Sequence, residues 1–271
     1  MNMNSEPRTR NLEPGTRNLE PSLRPYRIGQ IVPSSNTTME TEIPAILRGR
    51  ESVEPERFTF HSSRMRMKKV TKEELAAMDA DSDRCAAELA DARVDVLGYA
   101  CLVAIMSMGK GYHCQSQQRL QAVTAREGAP APVVTSAGAL VDGLRTLKAK
   151  KIAMVAPYVQ SLCTMVAEYI EHEGIEVVDR LALEIPDNLE VGRRDPMALV
   201  GIYKKLKLDG IDVLVLSSCV QMPSLAAIPV VEQECGLPVV SASVCTTYQM
   251  LQKLGLRTYA PNAGALLSGL Y

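Results

Sequence analysis

The chain lacks most of what would tie it to a membrane, a nucleic acid or a bound cofactor. No uninterrupted apolar stretch approaches the roughly 20 residues that span a bilayer. The N-terminus is polar and proline-rich and has no apolar core of a secretory signal. Lys and Arg (30) nearly balance Asp and Glu (31), leaving a net charge of -1. Without a local excess of cations, neither a phosphate backbone nor an anionic bilayer is attracted, so no nucleic-acid or membrane partner is expected. Gly109-x-Gly111 has no third glycine at dinucleotide spacing and no Gly-Lys-Ser/Thr ending. The 7 cysteines are odd in number, without a Cys-x-x-Cys pair or zinc-type spacing, and no His-Glu metal helix accompanies them. They fit reduced thiols in a cytoplasm better than a disulfide framework. Neither a metal nor a cofactor is expected.

What is present is an ordinary globular composition, 46% hydrophobic and 23% charged over 271 residues, enough chain to bury a large core. Its organising stretch is Ile211-Asp-Val-Leu-Val-Leu-Ser-Ser-Cys219. The β-branched and leucine run reads as a buried strand of a parallel sheet that stops in small polar residues and a thiol. Val94-Asp-Val-Leu-Gly-Tyr-Ala-Cys101 repeats the plan. Ligands of open α/β sheets bind at the carboxyl ends of strands, so both thiols stand where chemistry is expected.

The repetition extends along the chain. Arg27-Ile-Gly-Gln-Ile-Val-Pro33 matches Lys151-Ile-Ala-Met-Val-Ala-Pro157, and Pro132-Val-Val-Thr135 matches Pro238-Val-Val-Ser241. Strands are expected over 28–32, 57–61, 94–100, 132–135, 151–156, 176–182, 211–216 and 238–241. Thr37 and Glu40 have capping-box spacing, as do Thr71 and Glu74, and Asp195-Pro196 has the spacing of an N-cap followed by proline at the first helical position. Thr9-Arg-Asn-Leu-Glu-Pro14 recurs as Thr16-Arg-Asn-Leu-Glu-Pro21, so residues 1–25 read as a disordered extension outside the fold.

Eight βα units of this length could close into a barrel. The in-register duplication favours an α/β fold of two similar lobes, each with a four-stranded parallel sheet, related by a pseudo-twofold axis around an interlobe cleft. The expected division is 26–135 plus 246–271 for the first lobe and 136–245 for the second.

Most buried cysteines are small hydrophobes, and Cys85, Cys163, Cys235 and Cys245 fall in helix or helix-start patterns. Cys114 follows His113 in a loop, weak grounds for a metal or catalytic role. Cys101 and Cys219 differ because their positions are equivalent in a duplicated frame. Two facing thiols suit acid–base or covalent chemistry on a small molecule, one acting as base or nucleophile while the other supplies a proton. The N–H groups opening the loop and helix after Cys101 are expected to depress its pKa.

The duplicated two-cysteine plan resembles the aspartate/glutamate racemase superfamily. Within it, Val32-Pro-Ser-Ser-Asn36-Thr-Thr-Met-Glu40, Phe60-His-Ser-Ser-Arg64, Tyr99-Ala-Cys101, Ala156-Pro-Tyr158, Pro186-Asp-Asn188 and Ser218-Cys219-Val-Gln221 resemble the maleate cis-trans isomerases. The resemblance runs from Arg27 to the C-terminus. It implies cofactor-independent conversion of maleate to fumarate, with Cys101 adding to the alkene as a succinyl-cysteine and Cys219 as its acid–base partner. It also implies that Asn36, Tyr158 and Asn188, with backbone groups at Val103 and Val220, hold the dicarboxylate, and that the protein is a cytoplasmic homodimer. Readings left open beside it are a racemase or a decarboxylase of a small carboxylic acid using the same cysteines, and a two-lobed sensor without turnover.

Overall fold

Residues 24–67 and 71–271 are described by the computed structural model. The expected disorder of residues 1–25 falls outside the described residues except for Arg24 and Pro25; Arg24 already pairs with Asp95 on the folded body.

The short β-branched runs become eight strands, β1 (Tyr26–Pro33), β2 (Phe58–Met65), β3 (Val96–Tyr99), β4 (Val133–Thr135), β5 (Lys151–Ala156), β6 (Glu176–Ala182), β7 (Val213–Ser217) and β8 (Val239–Ser241). They pair in parallel in two separate four-stranded sheets, ordered β2-β1-β3-β4 and β6-β5-β7-β8. The identical order in the two halves bears out the duplicated two-sheet fold and rules out the single closed sheet of a barrel. Every residue of β3 and β7 is buried, as expected for central strands covered on both faces by crossover helices.

Among the described residues, ten α-helices connect and cover them: α1 (Met39–Arg50), α2 (Lys72–Asp91), α3 (Leu102–Ser107), α4 (Tyr112–Arg126), α5 (Ser136–Thr146), α6 (Gln160–His172), α7 (Asn188–Gly192), α8 (Leu199–Ile202), α9 (Ile228–Cys235) and α10 (Ala242–Lys253). None among the described residues is long and apolar enough to cross a membrane. Two of them carry site residues and have no periodic signal in the sequence. Helix α3 is six residues long with five fully buried, so it has no polar face to reveal a helical period. Helix α7 has only five residues, started by the Asp187 side chain, which accepts the Leu189 N–H at 2.9 Å.

The capping box expected at Thr37 and Glu40 does not form. Asn36 starts α1 instead: its Oδ1 accepts the N–H groups of Thr38 and Met39, both at 3.0 Å. The box at Thr71 keeps one half, with its hydroxyl accepting the Glu74 N–H. At Asp195 the side chain caps a 3-10 turn over Pro196–Ala198.

In each sheet the chain leaves in opposite directions from the two central strands, so the crevice between β1 and β3, and that between β5 and β7, is a switch point where ligands bind. Equivalent bonds continue both ladders past the strands: the Ala100 N–H donates to Ile31 O, and the Ser218 N–H to Val155 O, both at 3.0 Å. Helices α5 and α10, which follow β4 and β8, pack on each other and join the halves. Helix α10 also leans on α1 and β3, and α5 on α3 and β4. The expected lobe boundary at 135/136 therefore falls just before a helix that packs largely on elements of the first half.

Near the switch points the halves are joined by Glu42 of α1. Its Oε1 accepts the N–H groups of Ser224 (2.5 Å) and Leu225 (2.6 Å) in the segment after β7. Burial pushes its carboxyl pKa up, and the two N–H groups oppose that rise. Glu42→Ala leaves both donors without an acceptor and should lower stability by about 2–4 kcal/mol, whereas Glu42→Gln keeps an oxygen in place and should cost less than about 1.5 kcal/mol. Urea unfolding measures both; an alanine variant as stable as the glutamine one would show that the bonds do not matter.

Candidate active site

The site grows from the four segments that follow the central strands. After β1, the Asn36 carbonyl oxygen is committed to capping α1, which leaves its Nδ2 for other partners. The same turn is gripped from outside by Arg64 of β2. The guanidinium donates to the carbonyls of Ser34 (3.1 Å) and Asn36 (2.6 Å) and pairs with Glu40.

After β3 comes Cys101, at φ 85° and ψ 69°. This is the left-handed region, which costs a side chain with a Cβ about 1–2 kcal/mol. The turn is sharp because Cys101 must leave a buried strand and open α3 within one residue. The N–H groups of Leu102 and Val103, in the first turn of α3, have no acceptor inside the helix. Cys219, after β7, is not in this region among the described residues. The Ser217 hydroxyl donates to the Cys219 carbonyl at 2.9 Å, the Met222 N–H donates to the same carbonyl at 3.2 Å, and near the sulfur stands the Tyr158 hydroxyl. That hydroxyl also lies 3.2 Å from the Ser218 carbonyl.

Burial dominates both thiols. It pushes Cys101 up to about 12; the Ala104 N–H is the one donor opposing it, while negative charge at Cys219 and Asp79 pushes the same way as burial. Asp79 is itself buried and accepts the Tyr99 hydroxyl at 3.1 Å, two residues before the cysteine. The depressed Cys101 pKa expected from sequence is therefore corrected: one N–H at the sulfur does not offset its removal from water. Cys219 is also raised by burial, but three donors oppose the rise, so its anion is the better supported.

The seven residues singled out in the sequence, Asn36, Cys101, Val103, Tyr158, Asn188, Cys219 and Val220, all line one small cavity. Pro33, Met67, Leu102 and Gln221 complete it, and no charged side chain is among the eleven. Its volume is about 20 Å³, room for about one water molecule. A second pocket of about 550 Å³ lies alongside and shares Tyr158 and Asn188 as its wall, with Leu162 and Ile185 among its apolar lining. Cys85, Cys163 and Cys245 are buried elsewhere, Cys235 is half-buried and Cys114 exposed, and none of these five lines the cavity.

Gln221 was not singled out as a site residue. It stands in the Ser-Cys-Val-Gln motif two residues beyond a candidate nucleophile, which was its only signal. Its Oε1 accepts the Thr37 N–H at 2.8 Å and the Thr38 N–H at 3.3 Å, and its Nε2 donates to the carbonyls of Ser35 (3.2 Å) and Asn188 (2.7 Å). Asn188 Nδ2 in turn donates to the Ser35 hydroxyl at 2.8 Å.

The strain at Cys101 can be measured. In ordinary backbone alanine exceeds glycine in stability by roughly 0.5–1 kcal/mol; at a left-handed position the order should reverse. Cys101→Gly is expected to match or exceed Cys101→Ala in urea unfolding. An alanine variant more stable by about 1 kcal/mol would mean that the turn carries no strain.

Comparison with known proteins agrees with this geometry. The family model described as arylmalonate decarboxylase matches residues 28–267. A maleate isomerase from Pseudomonas putida is 66% identical over 91% of this chain and 98% of its own length. Among solved structures, a P. putida maleate isomerase variant with maleate superposes with TM-score 0.90 at 62% identity, covering 92% of this chain and 99% of that one. A Nocardia farcinica maleate cis-trans isomerase, in a cysteine-to-serine variant with a covalently bound succinylcysteine intermediate, superposes with TM-score 0.86 at 45% identity, covering 89% and 98%. With these identities extending over nine-tenths of the chain, the protein belongs to the maleate isomerase family.

Proposed function

We propose that the protein converts maleate to fumarate by transient addition of Cys101 to the double bond. The observation that carries the reading is the convergence of two thiols, from equivalent strand ends, on a cavity whose lining includes two asparagines, a glutamine and a tyrosine but no Asp, Glu, Lys or Arg. Asn36, Tyr158 and Asn188, with the N–H groups at Val103 and Val220, would hold the two carboxylates. Neutral donors leave the electron density free to shift as the reaction needs, because no fixed cation pins it to one carboxylate.

The site works with one ionised thiol, resting on Cys219 where three donors support it. Cys219 takes the Cys101 proton as the Cys101 sulfur bonds to one alkene carbon. The π pair moves to the other carbon and its carboxylate. Proton return from Cys219 to that carbon gives a succinyl-cysteine with a single bond between the former alkene carbons. Rotation brings the carboxylates to opposite sides. Cys219 then removes a proton from the same carbon, the double bond re-forms, the carbon–sulfur bond breaks, and the proton goes back to the departing sulfur. Atoms and electrons balance without an outside reagent. The covalent succinylcysteine of the Nocardia enzyme supports this route. The absence of Asp and Glu from the cavity lining counts against an amino-acid racemase, which needs a partner for the substrate ammonium. Seven unpaired cysteines accord with a reducing cytoplasm, and a homodimer completes the proposal.

Maleate added to the protein should lose its cis alkene signal in proton NMR as fumarate appears. Cys101→Ser should abolish this, since a serine hydroxyl without an activating base supplies almost no nucleophile. Cys219→Ser should retain traces, because a hydroxyl can still relay a proton. Mass spectrometry of enzyme quenched with maleate should find one substrate mass on the Cys101 peptide. An adduct on Cys219 would reverse the two roles, and no adduct with equal losses for both variants would leave only proton transfer.

The raised thiols set the pH dependence. Ionisation of one thiol has to precede addition, and both lie above their ordinary values, so the active form grows as pH rises. kcat/KM should climb between about pH 7.5 and 9, by up to about tenfold per unit. A profile that is flat or falls over this range would show that the thiolate is already formed at neutral pH.

A further inference from the structure

The cavity around the two thiols is too small for a four-carbon dicarboxylate, so the site must open in every cycle. The larger pocket beside it is separated from it by Tyr158 and Asn188, the two residues that belong to both. Substrate coming from that side has to move Asn188, at the start of α7, away from the turn after β1. What holds them together is Gln221. It is 2% exposed, and each of its side-chain heteroatoms bonds twice, Oε1 to the N–H groups of Thr37 and Thr38 and Nε2 to the carbonyls of Ser35 and Asn188. The Thr38 hydroxyl closes the knot by donating to the Gln221 carbonyl at 2.7 Å. The packing is correspondingly tight. A Cβ added at Gly192, at the end of α7, would stand 2.5 Å from Gln221 Nε2 and 2.8 Å from Thr37 Oγ1.

We propose that the Gln221 side chain is the latch of the active site: it joins the turn after β1, the start of α7 and the segment after β7, and its release opens the cavity to the dicarboxylate. Three segments that hold substrate groups meet at one amide, so its four bonds form or break together with the wall they support. Glutamine suits this because an amide supplies two donors and two acceptor sites at one side-chain end. A carboxylate would lose both donors, and an apolar chain would leave all four backbone groups unpaired. In this role Gln221 is a positioning residue that leaves the bond-making to the thiols. The inference rests on the isomerase reading only for the identity of the ligand.

Thiol alkylation tests the latch without any substrate, so its outcome is separate from that of the turnover assay. Iodoacetamide reaches Cys219, which is buried, only when the cavity opens, whereas Cys101 is half-buried and labels slowly even before opening. Cys114 is exposed and reports the intrinsic rate, and Cys245, fully buried in α10, reports loss of the fold. Labelling is followed peptide by peptide in the full-length protein. Gln221→Leu removes the four bonds; Gly192→Ala keeps the glutamine but forces its end aside. In both, Cys101 and Cys219 should label about tenfold faster or more, the effect of losing several hydrogen bonds of ordinary net strength, with Cys114 unchanged and Cys245 protected. Unchanged labelling at the two site thiols would overturn the proposal. If the leucine variant also exposes Cys245, it has loosened the whole fold, and the Gly192→Ala result decides: faster site labelling with Cys245 protected supports the latch, and unchanged site labelling or parallel labelling of Cys245 refutes it. In turnover, a latch predicts a larger share of enzyme trapped as succinyl adduct per cycle, because water rather than Cys219 protonates the carbanion and leaves Cys219 holding its proton, unable to act as the base for elimination; a purely structural loss would lower activity without changing that share.

Discussion

The arrangement depends on one constraint: in the proposed reaction a doubly charged substrate is held beside two thiols with no cation among the described residues that line the cavity. A lysine or arginine there would bind the dianion tightly, but it would also fix the charge distribution that must shift when sulfur adds. Among the described residues, one cation stands a layer back from the cavity. Arg64 grips the carbonyls of Ser34 and Asn36 from the outside of the turn. Its charge is spent on Glu40 and on orienting that turn, so the donors facing the cavity are neutral amides and N–H groups.

The same constraint accounts for the thiol chemistry. A narrow cavity with no cation among its described lining raises the cost of any anion, and Cys101 rises accordingly to about 12. In the proposed reaction the resting negative charge belongs on Cys219, whose neighbouring donors oppose its rise, and Cys101 becomes nucleophilic by handing its proton across. The two cysteines are equivalent in the duplicated topology and unequal in surroundings. One stands at a strained left-handed residue with a single N–H at its sulfur; the other has a tyrosine hydroxyl and two N–H groups. That inequality separates addition of sulfur to carbon from an exchange of protons between equals.

Much of this was legible in the sequence because it was written twice. Apolar runs ending in Pro33 and Pro157, and Val-Leu runs ending in Cys101 and Cys219, announce the switch points of two sheets before any contact is known. Asn36, Tyr158 and Asn188 were reached through family resemblance, and the fold places them at one cavity with both thiols. The parts that stayed hidden are local and cooperative. A six-residue buried helix such as α3 has no amphipathic period, and the five-residue α7 is set by a single Asp187 cap. The Thr37–Glu40 spacing suggested a capping box, but Asn36 caps the helix instead, its side-chain oxygen accepting both the Thr38 and Met39 N–H groups. The direction of the Cys101 shift was also out of reach, since it depends on burial on all sides and on Asp79, 22 positions earlier in the chain.

Gln221 shows why a site can be found from sequence while its mechanics are not. The residue touches segments that lie 33 positions before it at Asn188 and 186 before it at Ser35, and no local pattern links them. Its value comes from closing a circuit among three turns, each of which already has a reason to be where it is: Asn36 caps a helix, Asp187 caps another, and Cys219 ends a strand. A side chain that joins them costs little to order once they are in place, because the fold has already confined all three. Conversely, freeing it returns mobility to all three at once. Control of access therefore sits most economically on a residue that makes no bond to substrate, at the point where the separately built pieces of the site meet.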